Sequence, residues 1–171
     1  MSLSHDILTC ERSAIIKILD NIFDPEIPVL SINDLGIVRD VVVKENKKCI
    51  DVYITPTYSG CPAMEVISSR IRYALRQQGY ETVNVVKVLS PAWTTDWISE
   101  EGKQKLKAFG IAPPGKRQRD ELELFGSTPM VQCPLCNSTN TSMISEFGST
   151  SCKSLFRCND CKEPFDLFKC H

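Results

Sequence analysis

Apolar residues recur at helical spacing near the start of the chain and at strand-like spacing soon afterwards. Positions from about Asp6 to Ile22 predict a first helix. It should end before the segment Asp24-Pro25-Glu26-Ile27-Pro28, because two closely placed prolines favour an irregular or extended path. Two β-branched runs, 37–43 and 49–55, flank a short polar break. Together they predict a β-hairpin.

A second helix is predicted from Pro62 to Gln78, where the apolar residues share one face. Pro62 suits its first turn, and Gly79 suits its end. A third strand follows from Thr82 to Leu89, and its separation from the hairpin by a helix predicts a β-α-β unit. A weaker helical pattern runs from Ser99 to Phe109 and stops at Gly110.

Residues 112–121 combine proline, glycine and mixed charge without hydrophobic periodicity, which is typical of a linker. We therefore predict an α+β protein in three parts. A small mixed α/β domain, built as helix, β-hairpin, helix, strand and helix, covers residues 1–112. A linker covers 113–130, and a cysteine-rich module covers 131–171.

The cysteines are unevenly distributed, since six of the nine fall in the last 41 residues. So short a segment needs a metal, a disulfide or a partner in order to fold. The N-terminus lacks signal-peptide features, and no apolar run approaches the roughly 18 residues of a membrane span. We therefore expect a cytoplasmic protein with reduced thiols. Lys and Arg number 20 against 21 Asp and Glu, which argues against a nucleic-acid partner.

Four of the tail cysteines form two C-x-x-C pairs separated by 21 residues: Cys133, Cys136, Cys158 and Cys161. This spacing is close to that of zinc ribbons, in which two tight turns aim four thiolates at one ion. Iron could occupy the same sulfurs. A closed four-thiolate shell leaves no coordination position for a substrate, so we expect a structural zinc ion.

The tail contains further cysteines and aromatic residues. Cys152 and Cys170 are surplus to the tetrahedron, and are either small buried residues or auxiliary thiols that receive or pass on a metal. The phenylalanines are expected to form the core of the tail: Phe147, Phe156, Phe165 and Phe168.

Cys61 is the candidate reactive residue of the first domain. The segment 55–62 leads from a strand into a helix, and predicts Cys61 at the N-cap, where the helix dipole would lower the thiol pKa. The alternative is a buried cysteine cap. The chain has two histidines, His5 and His171, one near each end, which disfavours a thiol enzyme and favours binding of a soft metal or cluster.

Two acidic residues near Pro25 leave two interpretations open. Asp24 and Glu26 could be paired acids or metal ligands. Alternatively, Asp24 caps the local turn and Glu26 is merely solvated.

Several segments resemble known families. The segments 24–29, 33–38 and 57–62 resemble the SufT-like family of cytosolic iron–sulfur assembly factors. The segment 91–97, the helix end at Gly110-Ile111 and the segment 144–153 with the terminal cysteines are similar to the PaaD family. Members of that family are D components of bacterial phenylacetyl-CoA epoxidase systems.

The resemblance implies an α/β domain followed by a zinc ribbon. It also implies an accessory role in assembling or maturing the iron–sulfur or iron centres of the multicomponent epoxidase, without catalytic activity of its own. The expected partners are the epoxidase subunits, including the iron–sulfur reductase, and a homodimer is allowed. An alternative is a stoichiometric structural subunit without transfer chemistry.

The resemblance also assigns roles to individual residues of the first domain. Cys61 would transiently bind iron or a cluster, and four residues would surround it: Asp24, Glu26, Asp34 and Thr57.

Overall fold

The computed structural model describes residues 3–44, 48–115 and 131–169, with side chains from residue 11 onward. The chain divides into two compact units, Met1–Ser99 and Glu100–His171. The predicted boundary after residue 112 lies within the second unit. Most of the predicted linker, residues 116–130, lies outside the described residues.

The first unit is a three-stranded sheet with two long helices. Its elements are α1 (Leu3–Leu19), β1 (Val38–Val43), β2 (Cys49–Ile54), α2 (Ala63–Gln77) and β3 (Thr82–Lys87). The strands lie in the order β1-β2-β3. β1 pairs antiparallel with β2, and β2 pairs in parallel with β3, so that Val52 lies opposite Val41 on one side and Val85 on the other. The hairpin and the β-α-β unit are both confirmed, and so is the mixed α+β class.

The core of the first unit follows from the periodicity of its elements. Along β2 every second residue is fully buried, as strand geometry requires of a face that packs on helices. In α2 the buried aliphatic residues recur at helical spacing: Ile67, Ile71 and Leu75. The sheet face and this helical stripe together form the largely aliphatic core of the unit.

The first helix ends earlier than the predicted Ile22. Helix α1 stops at Leu19, and the Ile22 carbonyl accepts a hydrogen bond from Ile32 N–H at 2.9 Å. Ile22 is buried all the same. The apolar pattern therefore continued past the helix end because the following turn also packs on the core.

The loop before β1 is fixed by close packing at Gly36. Its φ of +64° lies in the left-handed region, and an added Cβ would lie 2.5 Å from the Trp97 carbonyl oxygen. The neighbouring carbonyl of Leu35 accepts a hydrogen bond of 2.8 Å from the buried Trp93 indole. Glycine is therefore required where this loop meets the 93–97 segment.

The second unit is built on a four-stranded sheet. Its elements are α3 (Glu100–Ala108), β4 (Ile111–Ala112), β5 (Thr141–Ser145), β6 (Lys153–Cys158) and β7 (Pro164–Phe168), with strand order β4-β7-β6-β5. Strand β4 pairs in parallel with β7, placing Ile111 opposite Asp166. Its core contains Ala112, Val131, Cys133, Phe156, Cys158 and Phe165. The segment that ends at Ala112 thus packs with the tail.

The aromatic prediction for the tail is confirmed for three residues and wrong for one. Phe156, Phe165 and Phe168 are buried. Phe147 is 57% exposed, and the Lys169 ammonium lies 4.2 Å from its ring centroid. A cation–π contact at the surface replaces the expected core position. Among the described residues, no helix is long and apolar enough to cross a bilayer.

Candidate metal centre and thiol site

Four sulfur atoms converge at one end of the second unit. The side chains of Cys133, Cys136, Cys158 and Cys161 place their sulfurs within 4.8 Å of one another. Two of the separations are 3.8 Å, between Cys133 and Cys161, and 3.5 Å, between Cys136 and Cys158. A tetrahedral zinc ion with bonds of about 2.3 Å requires sulfur separations of about 3.8 Å. The arrangement therefore fits one tetrahedral metal ion.

The two C-x-x-C segments fold into equivalent turns. In the first, Asn137 N–H donates to the Cys133 carbonyl at 2.9 Å, and in the second, Lys162 N–H donates to the Cys158 carbonyl at 3.0 Å. The donor residue has positive φ in both, 62° at Asn137 and 70° at Lys162. Asparagine adopts this conformation readily, whereas lysine does so at a cost. Lys162 therefore adopts this φ because the turn requires it, and not because lysine itself favours the conformation.

A polar network joins the two turns. Asp160, between the cysteines of the second turn, accepts hydrogen bonds from Ser138 and from Asn140, the latter at 2.8 Å. Asn159 N–H also donates to the Asn140 carbonyl at 2.8 Å. These contacts connect the two cysteine pairs through polar groups outside the sulfur cluster. They are the kind of outer contacts that orient metal ligands.

Of the two cysteines in the second turn, Cys158 is the one whose thiolate is favoured, whereas burial and the neighbouring sulfurs raise the pKa of the Cys161 thiol to about 12. The Cys161 N–H, with a further contribution from Asp160, lowers the pKa of the Cys158 thiol to about 6. Thiolates are the form that binds metal. Four soft thiolate donors suit zinc or iron, and a closed shell serves structure instead of substrate chemistry. A metal held by these four residues would cross-link the ends of β6 and of the loop before β5.

Cys61 lies just before α2, but its environment differs from the sequence prediction. The N-cap is Pro62 and the helix begins at Ala63, so Cys61 precedes the cap by one residue. Burial, with smaller contributions from the charges of Glu26 and Asp24, raises its pKa. The hydrogen bonds from the Thr57 side chain and the Ala63 N–H lower the pKa but do not outweigh burial. The expected depression of the thiol pKa is therefore wrong in this structure.

Of the four residues predicted around Cys61, three contact it or act on it electrostatically. Thr57 donates to its sulfur, and Asp24 and Glu26 act through their charges. Asp24 is also a turn cap, because its Oδ1 accepts from the backbone N–H groups of Glu26 at 2.8 Å and Ile27 at 2.9 Å. Asp24 therefore caps its local turn and acts on the thiol at the same time.

Asp34 has a different set of contacts. Its carboxylate accepts hydrogen bonds from Ser31 N–H at 3.0 Å and from the Ser99 hydroxyl at 3.1 Å. It is buried and ties the 31–34 turn to the end of the first unit. Its role beside Cys61 stays a prediction.

The surplus cysteines are placed unequally. Cys152 is buried, and its sulfur lies 3.1 Å from the Thr150 hydroxyl, outside the four-sulfur group found among the described residues. Cys170 lies outside the described residues. The buried position of Cys152 suits a packing role for that residue.

Comparison with known proteins follows the same division of the chain. Residues 12–89 match a family model described as iron–sulfur cluster assembly protein, and residues 117–169 match one described as PaaD zinc beta ribbon domain. An Escherichia coli K12 protein, provisionally named as the D component of 1,2-phenylacetyl-CoA epoxidase, is 49% identical over 154 residues, covering 90% of this chain and 89% of the relative. The chain belongs to the PaaD family.

Other relatives share the first unit of this PaaD-family chain. A Porphyromonas gingivalis protein named as an Fe–S protein maturation auxiliary factor is 30% identical, and covers 61% of this chain and 97% of the relative. A crystal structure of a domain of unknown function from Bacillus anthracis is 27% identical, with a TM-score of 0.55 over 60% of this chain and 96% of that one. These likenesses assign the iron–sulfur assembly fold to the first unit.

Sequence reasoning missed the residues that connect the two cysteine turns. Asp160 was visible as the residue between two ligands, but its partners Ser138 and Asn140 follow the other turn. The equal position of Asn137 and Lys162, one residue after each C-x-x-C pair, was a signal for a repeated turn. The cross-links themselves depend on tertiary pairing and have no local signature.

Proposed function

We propose that this protein is an accessory factor that matures the iron–sulfur or iron centres of a phenylacetyl-CoA epoxidase. In this proposal Cys61 transiently binds iron or a cluster, and the four tail cysteines hold a structural zinc ion. The observation that carries it is a half-buried thiol that is hydrogen-bonded by Thr57 and lies within the field of the Glu26 and Asp24 charges, in a unit related to iron–sulfur assembly proteins.

The negative charges around Cys61 disfavour an unpaired thiolate and favour a bound cation. Burial and the carboxylates of Glu26 and Asp24 keep the proton on sulfur, and the same negative charges attract Fe²⁺. When Fe²⁺ bonds to the sulfur, the thiol proton leaves to solvent. When ligands of the client protein replace Cys61, a proton returns and the iron moves on. One thiolate with oxygen donors binds iron more weakly than four thiolates do. Weak binding suits a transfer site, because the iron must leave it again.

The tail would supply structure and contact. Its sulfur group can satisfy a metal completely, so the ion would fix the fold and not take part in transfer. We assign docking on the epoxidase to the tail as a second role. Large apolar side chains at its surface support this assignment: Leu135, Ile144 and Phe147.

The exposed apolar residues of the tail also favour a second candidate function, that of a stoichiometric structural subunit. Such a subunit would bind the epoxidase permanently and need no reactive thiol. Co-purification at a fixed ratio with the epoxidase, and full epoxidase activity with Cys61→Ala, would favour this candidate over the first.

Metal analysis of the anaerobic full-length protein tests the maturation role. We expect the wild type, after reconstitution with Fe²⁺ and sulfide, to hold zinc at one per chain and additional iron. Cys61→Ser should lose the additional iron and keep the zinc and the circular dichroism spectrum. Cys49→Ser is the matched control, since it removes another half-buried cysteine of the same unit. Equal iron in all three proteins would refute the role of Cys61.

A further inference from the structure

An apolar groove of about 520 Å³ runs between the end of α1 and the outer side of α2. Ile22, Phe23, Arg70 and Tyr73 form most of its walls. Phe23 is 41% exposed and Tyr73 is 69% exposed, which is unusual for side chains of this size. The groove therefore presents two aromatic rings to solvent on the surface of the first unit.

The groove is held in place by its backbone. Phe23 forms an isolated bridge with Ser31, and the adjoining Asp24 N–H donates to the Leu30 carbonyl at 2.9 Å. The Arg70 guanidinium, from the opposite wall, donates to the Phe23 carbonyl at 2.7 Å. Both walls are thus connected before any partner arrives. A preformed surface loses less entropy on binding than a mobile one.

The charge of the groove selects its occupant. Arg70 is the one charged side chain among the described residues that line it. Guanidinium groups bind carboxylates through paired N–H donors, and aromatic residues with arginine are the residue types that dominate binding energy at protein interfaces. A complementary partner would place an apolar side chain against the rings and a carboxylate on Arg70.

Each wall of the groove is connected to the thiol site through a short stretch of chain. Phe23 directly precedes Asp24, one of the carboxylates that act on Cys61. Arg70 follows the helix start at Ala63 by seven residues, about 10 Å along an α-helix. A protein segment seated here would have its neighbouring residues within reach of Cys61.

We propose that this groove docks an acidic, apolar segment of the client protein that receives iron or a cluster from Cys61. The inference rests on the proposed maturation role for its purpose, but the groove can be tested separately. The apolar side chain of the segment would lie between Phe23 and Tyr73, and its carboxylate would pair with Arg70.

Binding of the purified apo iron–sulfur reductase of the epoxidase to the full-length protein is the test. We expect at least a tenfold weaker Kd for Tyr73→Ala and for Arg70→Glu, and an intermediate Kd for Arg70→Lys, which keeps the charge but loses the paired donors. Arg76→Glu changes the same charge on the same helix outside the groove, and Leu89→Ala removes an exposed apolar side chain elsewhere in the unit. Both controls should bind as the wild type does.

Several outcomes would overturn the proposal. Undiminished binding by the groove variants, no binding by the wild type, or equal loss in the control variants would each do so. Self-association that weakens in the groove variants, with unchanged reductase binding, would assign the groove to a second copy. Iron content measured on the same samples separates the two proposals. A wild type that docks through the groove yet binds no iron at Cys61 supports the groove and refutes the transfer role.

Discussion

The two units of this protein use sulfur in opposite ways. In the second unit four sulfurs meet within 4.8 Å, and two of the cysteines, Cys133 and Cys158, are part of the hydrophobic core itself. In the first unit the buried core is mostly aliphatic and holds no cysteine among the described residues, and Cys61 is half-buried within the field of the Glu26 and Asp24 charges. The difference teaches that a cysteine in the core of a unit is poorly placed to release a bound metal, because release would disturb the fold. A cysteine outside the core can release a metal without that cost.

The largest expected effect tests whether the second unit depends on its metal. Cys158→Ser should remove the zinc and unfold the tail, because a segment this small has little apolar core to stabilise it otherwise. Metal analysis and hydrogen exchange of residues 131–169 would measure this. Cys152→Ser, also buried but outside the sulfur group, should retain one zinc per chain. A Cys158→Ser protein whose tail stays folded without zinc would contradict the conclusion that folding of the second unit depends on its metal.

A second substitution should destabilise the first unit and leave the metal in place. Gly36→Ala adds a Cβ 2.5 Å from the Trp97 carbonyl oxygen at a φ of +64°. We expect a loss of about 2–4 kcal/mol in unfolding free energy, from left-handed strain and overpacking together. Denaturant unfolding with zinc analysis checks this.

Gly79→Ala is the control for the second prediction. It shares a positive φ of +92°, but an added Cβ there has nothing within 4 Å. Gly79→Ala should therefore lower the free energy of unfolding by less than Gly36→Ala does. The difference between the two is the contribution of overpacking at Gly36. Zinc loss from Gly36→Ala would show that destabilising the first unit also destabilises the second.

A third, smaller effect concerns the network that joins the two cysteine turns. Asp160→Asn should weaken zinc retention by about tenfold, since it replaces the acceptor of the Ser138 and Asn140 hydrogen bonds. Zinc transfer to a chromogenic chelator would give the change. Asp166→Asn removes a carboxylate that accepts from Ser149 in the same unit and should leave retention unchanged. Equal retention in both variants would mean that the four thiolates alone set the affinity.

The smallest effect tests the environment of Cys61 by pH. Burial first, and then the charges of Glu26 and Asp24, raise its pKa above the ordinary thiol value of about 8.5. Alkylation of the metal-free protein should therefore show a midpoint above that pH. Glu26→Gln should move the midpoint down and speed alkylation at neutral pH. An unchanged midpoint would mean that Glu26 does not act on the thiol.

The same shift has a consequence for stability. The folded protein holds the Cys61 proton more tightly than the unfolded chain does. Its contribution to stability is therefore present below about pH 8.5 and is lost as pH rises through the folded pKa.

Periodicity and spacing predicted most of the fold and the convergence of the metal-binding residues. The three strands of the first unit, α2 and the β-α-β pairing follow from local apolar patterns, and the C-x-x-C pairs required one meeting point. The pKa direction at Cys61 was not predictable in this way. It depends on how deeply the thiol is buried and on carboxylates more than thirty residues away.

Other features were missed because they too are tertiary. Strand β4 is two residues long and carries no recognisable strand pattern, yet it pairs with β7. The groove at Phe23 and Tyr73 forms where the turn after α1 meets α2. In the sequence each of these residues has the pattern of an ordinary turn or surface position, so the groove could not be predicted.

The pairing of β4 with β7 places the described residues before and after the connecting segment in the same unit. Ala112, before residues 116–130, and Val131, after them, belong to one hydrophobic cluster of the second unit. The described residues on both sides of the segment are therefore parts of one folded unit. A cut between residues 116 and 130 would leave two fragments that share the β4–β7 pairing and one hydrophobic cluster, with all four candidate metal ligands in the second fragment.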